Sequence, residues 1–260
     1  MSLAKPSTGL EELVDATSGR EIVEAPVVVN RFQSLTKKYE LLLSMEWRNE
    51  LLREYVTEVL SPCDINIFLQ QTRDYEDHTN YRRNTGLFIS QLISNSHYAG
   101  NNEFELDMNS LKPINGLVSN VSGTEKRMVR VVITGEVGYQ CGQSTQHSAL
   151  TIREAGDWCG RLAKQCTFTT KEVGNNCGIN AQHSTFTIEK ARDMCGSWAK
   201  HSTFTIREAG DWCGWEAQHS TFNTHNPDQY KQFKKSVPQN KGNVLYLLSN
   251  TGSIIKGGEW

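Results

Sequence analysis

The chain has 260 residues and a formal net charge of −2, with 37% hydrophobic and 22% charged residues. This composition suits one large or two ordinary folded domains and excludes a disordered tail or a bundle of membrane spans. Segment 129–218 carries nine basic and nine acidic side chains, 219–260 five and two, and 1–128 thirteen and eighteen. No stretch has the concentrated positive charge of a nucleic-acid surface, so no nucleic-acid partner is expected.

Residues 1–30 read as a leader, partly flexible, with a strand over Ile22–Val29 interrupted by Pro26. Glu11, Glu12 and Asp15 break the apolar core that a secretion signal needs. No apolar run approaches the roughly 20 residues that cross a bilayer. A cytoplasmic location without membrane contact is the resulting expectation.

Residues 31–102 read as a mainly helical domain. Leu41, Leu42, Met45, Leu52, Val56, Val59 and Leu60 recur near a 3.6 period and stop before Pro62, which predicts one long amphipathic helix over Ser34–Leu60. Shorter helices are predicted over Asp64–Asp74 and Thr85–Ser94. Glu103–Met108 alternates as a strand would, and Pro113–Thr124 reads as a loop or irregular coil, so 103–128 connects the helices to the repeats after it.

From 129 to 224 the chain repeats. Cys141-Gly142, Cys159-Gly160, Cys177-Gly178, Cys195-Gly196 and Cys213-Gly214 succeed one another at a constant 18-residue interval. The segments beginning at His147, Gln165, His183, His201 and His219 keep the same phase, and Val129–Thr134 takes the strand position of a degenerate first coil. A fixed period without insertions is the signature of a solenoid.

Thr151-Ile-Arg-Glu154 has capping-box spacing, which favours a short helix. Against it stand Gly156, Gly174 and Gly210 in mid-helix, a unit too short for two packed helices, and the strand-favouring Ser-Thr-Phe-Thr-Ile segment. Eighteen also divides into three sides of six. The predicted fold is therefore a β-solenoid, a three-faced β-helix with an 18-residue coil, joined to an α-helical N-terminal domain. Residues 225–260, with strands over Val244–Leu248 and Ser253–Lys256, are expected to cap or extend it.

Alternation along the strand puts Ser184, Phe186 and Ile188 inside and His183, Thr185 and Thr187 outside. Ala191, Cys195 and Ala199 then face inward from the other sides. Cys141, Cys159, Cys177, Cys195 and Cys213 form a structural ladder of small buried side chains. A single row lacks the tetrahedral convergence of a metal site, so neither metal nor cofactor is expected.

The outward rows are the candidate binding surfaces: His147, His183, His201 and His219, then Thr185, Thr187, Thr203 and Thr205. Trp158, Trp198, Trp212 and Trp215 are candidate aromatic contacts. In the row Asp157, Asn175, Asp193, Asp211, neighbouring acids repel unless something neutralises them. The Thr columns resemble the Thr-x-Thr faces of ice-binding β-solenoids.

The unit Ser-Thr-Phe-Thr-Ile followed by Ala-Gly-Asp-x-Cys-Gly resembles tandem repeats of uncharacterised bacterial and archaeal repeat proteins, over about a third of the chain. The resemblance implies a β-solenoid and no agreed activity. The functional expectation is protein–protein binding or scaffolding, with a protein partner or a second copy of the chain. Two alternatives stand beside it. One is an enzyme site where helices and solenoid meet, around Asp74, Glu76, His78 and Tyr81; the other is recognition of carbohydrate or ice by the solenoid face.

Overall fold

Each strand of the repeat pairs in parallel with its counterpart one coil later, Thr167 with Thr185 and Thr185 with Thr203, and this recurrence organises the molecule. The computed structural model describes residues 32–45 and 49–259, so the leader and its strand over 22–29 lie outside the described residues. The described residues from Leu35 onward form one compact unit.

Among the described residues four helices come first: α1 (Gln33–Leu43), α2 (Asn49–Tyr55), α3 (Pro62–Gln71) and, after a 3-10 turn at Thr72–Tyr75, α4 (Tyr81–Tyr98). The predicted single helix over 34–60 is corrected to two helices and an extended segment. In one straight helix Lys38 and Tyr55 would stand roughly 25 Å apart at about 1.5 Å per residue. Instead Lys38 Nζ donates to the Tyr55 carbonyl at 3.1 Å and pairs with Glu58 at 2.6 Å.

The break is stabilised from α4. Asn84 Nδ2 donates to the carbonyls of Leu42 and Met45, and Asn80 Nδ2 to that of Leu43, satisfying acceptors that the end of α1 leaves open. Helix α3 starts where Ser61 caps it, accepting from the Asp64 N–H with Pro62 in the first turn. Its Ile65, Phe68 and Leu69 are buried.

The stack is a nine-stranded sheet running β1 (Glu103–Asp107), β2 (Val129–Val137), β3 (Ser148–Ala155), β4 (Thr167–Val173), β5 (Thr185–Ala191), β6 (Thr203–Ala209), β7 (Thr221–Thr224), β8 (Val244–Leu248) and β9 (Ile254–Glu259) in sequence order. All pairs are parallel except β8 with β9. The β-solenoid and its helical N-terminal region are thus present as the repeat implied.

The strands occupy one side of the coil and turn its corner. A second, narrow ladder links Gln146, Lys164, Gln182, Lys200 and Gln218, and the remaining side is built of tight turns. Hydrogen bonding continues through those turns: the N–H of Met194 reaches Asp211 O, Gly196 reaches Cys177 O, Trp198 reaches Trp215 O, and Lys200 reaches Ala181 O, all at 2.8 Å. Donors alternate between the following and the preceding coil.

The degenerate first coil needs one correction. Val129 pairs with Ser148 across a 19-residue interval, and the 18-residue interval returns at Glu136 with Glu154 after an irregularity between Ile133 and Glu136. An 18-residue interval at Val129 would set its buried series 129, 131, 133 against the outward series of β3, because a one-residue slip flips every side chain. Gly135, at φ +84°, absorbs the extra residue.

The irregular segment before it is itself part of the stack. Gly116 N–H bonds to Tyr139 O, and Gly142 N–H to Leu117 O.

The interior follows the repeat. Phe168, Phe186, Phe204 and Phe222 stack with ring centroids 4.8, 4.8 and 5.2 Å apart, and Phe233 closes the row edge-on. The glycine after each ladder cysteine has φ between +63° and +71° and faces these rings; a Cβ on Gly178 would stand 2.8 Å from Phe204 Cε1.

The last coil carries α5 (Pro227–Ser236) as an insertion between β7 and β8. Gln229 and Gln232 of this helix, with Asn243 after it, accept from or donate to the groups that the final coil leaves open.

Candidate functional site

Along β4 and β5 the exposure pattern is out, in, out, in, out, out, in. Two successive outward residues, such as Glu189 and Lys190, require the sheet to bend. Beside this bend lies a groove of about 740 Å³. One edge is the column Thr151, Thr169, Thr187, Thr205; the other is Arg153, Lys171, Glu189, Arg207. The backbone of Ile152, Thr170 and Ile188, whose side chains point into the solenoid interior, forms the floor between them. Thr170 stands where its neighbours carry isoleucine, and its hydroxyl donates to the Glu172 carbonyl at 3.2 Å.

The groove ends are held rigidly. At one end Asp107 Oδ1 accepts from the Asn109 N–H at 3.0 Å, Asn109 Nδ2 at 2.8 Å and Thr134 Oγ1 at 2.9 Å. The hydrogen bond from the Asn109 backbone, then that of Thr134, holds the Asp107 carboxyl below the usual carboxylate range. At the other end His225 Nδ1 contacts Ser249 O at 2.8 Å, and Asn223 Nδ2 donates to Thr205 Oγ1 at 3.2 Å.

The wall's own row carries three cations and one carboxylate, and charge balances only when the adjoining row Glu154, Glu172, Lys190 and Glu208 is added. Arg153, Lys171, Lys190 and Arg207 face Glu154, Glu172, Glu189 and Glu208 in two adjoining rows. Arg153 pairs with Glu154 at 3.3 Å and Lys190 with Glu172 at 3.8 Å.

The expected site residues divide. Thr187 and Thr205 line the groove; Thr185 and Thr203 sit outside it on the neighbouring column of the same face. His183, His201 and His219 stack at 5.0 Å with nearly parallel rings, whereas His147 is separated from them by Gln165. All four histidines have φ between +46° and +50°, at a corner away from the groove.

Parallel rings do not converge on one point. Among the described residues no three His, Cys, Asp or Glu side chains are grouped to hold a metal ion. Trp158 is half-buried under the Arg161 guanidinium, and Trp198 packs edge-on against Trp215 at 4.7 Å. Among the described tryptophans, Trp212 and Trp215 are the exposed ones, at 62% and 37%.

The cysteine ladder is interior. Cys141, Cys159, Cys177, Cys195 and Cys213 are buried free thiols, as is Cys166, while Cys63 is exposed. Hydrogen bonding with Cys159, then burial, pushes Cys141 well above the usual thiol range. Cys177 moves the same way through Cys159, then Cys195, then burial, and Cys213 chiefly through burial. Cys159 is shifted in the opposite direction because both neighbours donate to it.

The acidic row is structural too. Asp157 Oδ1 accepts the Asn175 N–H at 2.7 Å, Asn175 Oδ1 the Asp193 N–H at 3.3 Å, and Asp193 Oδ1 the Asp211 N–H at 2.9 Å, ending on Gln232 at 2.9 Å. Backbone donors offset the repulsion expected along this row.

The residues considered for an enzyme site are engaged elsewhere. Glu76 accepts the Lys112 N–H at 2.6 Å, Asp77 pairs with Lys112 at 2.8 Å, His78 Nδ1 accepts from Asn80, and Tyr81 is fully buried with its hydroxyl 3.3 Å from Thr72. Asp74 lies in the 3-10 turn.

Sequence reasoning missed Arg153, Lys171, Glu189, Arg207, Asn109 and His225 as groove residues. The signal that could have found the wall was the pair of adjacent polar positions before each inward alanine or valine, which marks the bend.

No helix among the described residues is long and apolar enough to cross a membrane. Comparison of the chain with protein-family models, with curated proteins and with solved structures finds no match in any of the three.

Proposed function

We propose that the chain is a binding module and that the groove along the solenoid face is its working surface. The observation that carries this reading is the groove's construction: each of four successive coils contributes one threonine and one charged side chain, at the coil spacing of about 4.8 Å. Such a site offers the same contact repeatedly along the stack and suits an elongated, repetitive ligand. Ligand sites are typically the larger concave surfaces of a protein, mostly apolar with a few placed polar groups. A flat array, as ice recognition needs, is less well matched, because the charged wall rises beside the inner threonine column.

The test is a thermal-shift screen of the full chain against glycans, peptides and nucleotides, run beside a Thr169→Trp variant that fills the groove. A ligand that raises the melting temperature of the parent and not of the variant supports the reading. Equal shifts in both would overturn it.

A second reading, docking of a protein partner, is favoured by the exposure of Trp212 and Trp215 on another corner, since exposed tryptophans are frequent interface anchors. Its test is loss of a captured partner on Trp212→Ala with the groove intact.

A further inference from the structure

We infer that the groove's ligand is an uncharged polysaccharide chain lying along the stack axis, about one sugar per coil, an inference that rests on the groove being the working surface. Strand pairing, spacing and charge each exclude a competing polymer.

A peptide strand docking by sheet extension needs unpaired backbone groups. The groove floor belongs to β3, β4, β5 and β6, each already paired on both edges. A peptide laid across the strands would advance about 3.3 Å per residue and present like-facing side chains about every 6.6 Å, out of step with coils about 4.8 Å apart. A pyranose unit in an extended chain is close to the coil spacing.

Nucleic acids and other polyanions need an excess of cations. The row that lines the groove carries three cations and one carboxylate, but the adjoining row sets Glu154, Glu172 and Glu208 beside them with Lys190, so four cations and four carboxylates share the bend. The reversal in one coil, Glu189-Lys190 in place of Arg-Glu or Lys-Glu, sets Glu189 between Lys171 and Arg207. The bend as a whole is therefore neutral, and its heads both donate and accept hydrogen bonds.

A sugar matches both of its surfaces. The ring's C–H face can lie on threonine methyls and on the exposed Val132 side chain at the first coil. Its hydroxyls, each donor and acceptor, meet threonine hydroxyls on one side and guanidinium, ammonium or carboxylate groups on the other. Asn109 and His225 bound the run, so about four or five sugars fill it.

The test is calorimetric titration of the full chain with linear β-1,4- and β-1,3-linked glucose, xylose and N-acetylglucosamine oligosaccharides of increasing length. Affinity should rise with length and level off beyond about four or five units, and a tenfold increase in salt should leave it nearly unchanged. Thr169→Val with Thr187→Val removes two hydroxyls while keeping shape and strand propensity, and should weaken binding roughly tenfold. Thr185→Val with Thr203→Val, on the outer column, should change it less than about twofold; circular dichroism melts confirm that both variants fold.

If no neutral oligosaccharide binds while a polyanion or peptide does, and that binding is weakened by the groove variant, the sugar inference is overturned and the groove reading stands. If oligosaccharides bind equally well to parent and groove variant, the groove reading itself fails.

Discussion

Replacing Gly178 by alanine tests the account of the interior most sharply, because two separate costs meet at one atom. Gly178 has φ +64°, and its missing Cβ would lie 2.8 Å from Phe204 Cε1 and 3.0 Å from Phe186 Cζ. A left-handed conformation costs a non-glycine residue about 1–2 kcal/mol. Forcing a methyl into a packed aromatic row adds about 1–3 kcal/mol. Neither ring can retreat, since each is stacked on both sides at 4.8 to 5.2 Å.

Gly178→Ala should therefore destabilise by roughly 2–5 kcal/mol in total, read as a lowered midpoint in urea unfolding. A double-mutant cycle with Phe204→Leu separates the contributions: relieving the ring should recover the packing cost and leave the conformational one. A cost under about 1 kcal/mol, or no coupling to Phe204, would refute the reasoning.

Leu162, exposed with φ +59°, should gain roughly 0.5–1 kcal/mol as asparagine, which tolerates that conformation better, seen as a raised melting temperature. Asp193→Ala removes the acceptor of the Asp211 N–H and should cost about 1 kcal/mol, whereas Asp193→Asn keeps an acceptor and should cost less; urea midpoints of the two variants give the comparison. His97 is buried, and burial lowers its pKa below the ordinary 6.5, with the Asn101 carbonyl opposing and the Arg127 charge assisting. The unfolded chain then takes up the proton first, so stability is complete above about pH 6.5 and is lost as pH falls from there to the lowered folded value. Unfolding midpoints across that window should fall with pH, and His97→Gln should flatten the slope.

How much of this was legible beforehand depends on the range over which each signal acts. The 18-residue period, the inward Phe, Cys and Ala columns and the outward His and Thr columns follow from alternation and repetition, which are local properties of the chain. The spacing of Cys141, Cys159, Cys177, Cys195 and Cys213 identifies the coil from the chain alone.

The tertiary structure decided the rest. The long helix expected over 34–60 became two because Asn80 and Asn84, some forty positions away, satisfy the carbonyls at the break. The 19-residue interval at Val129 arose because the buried faces of β2 and β3 must coincide, and a one-residue difference is invisible to a reading that fixes phase by Cys-Gly.

The groove is the clearest case. The sequence places Thr187 outside and Glu189 outside, but whether the surface between them is flat or concave depends on how the strand bends over its neighbours. Curvature belongs to the stacked coils together, and no single repeat contains it.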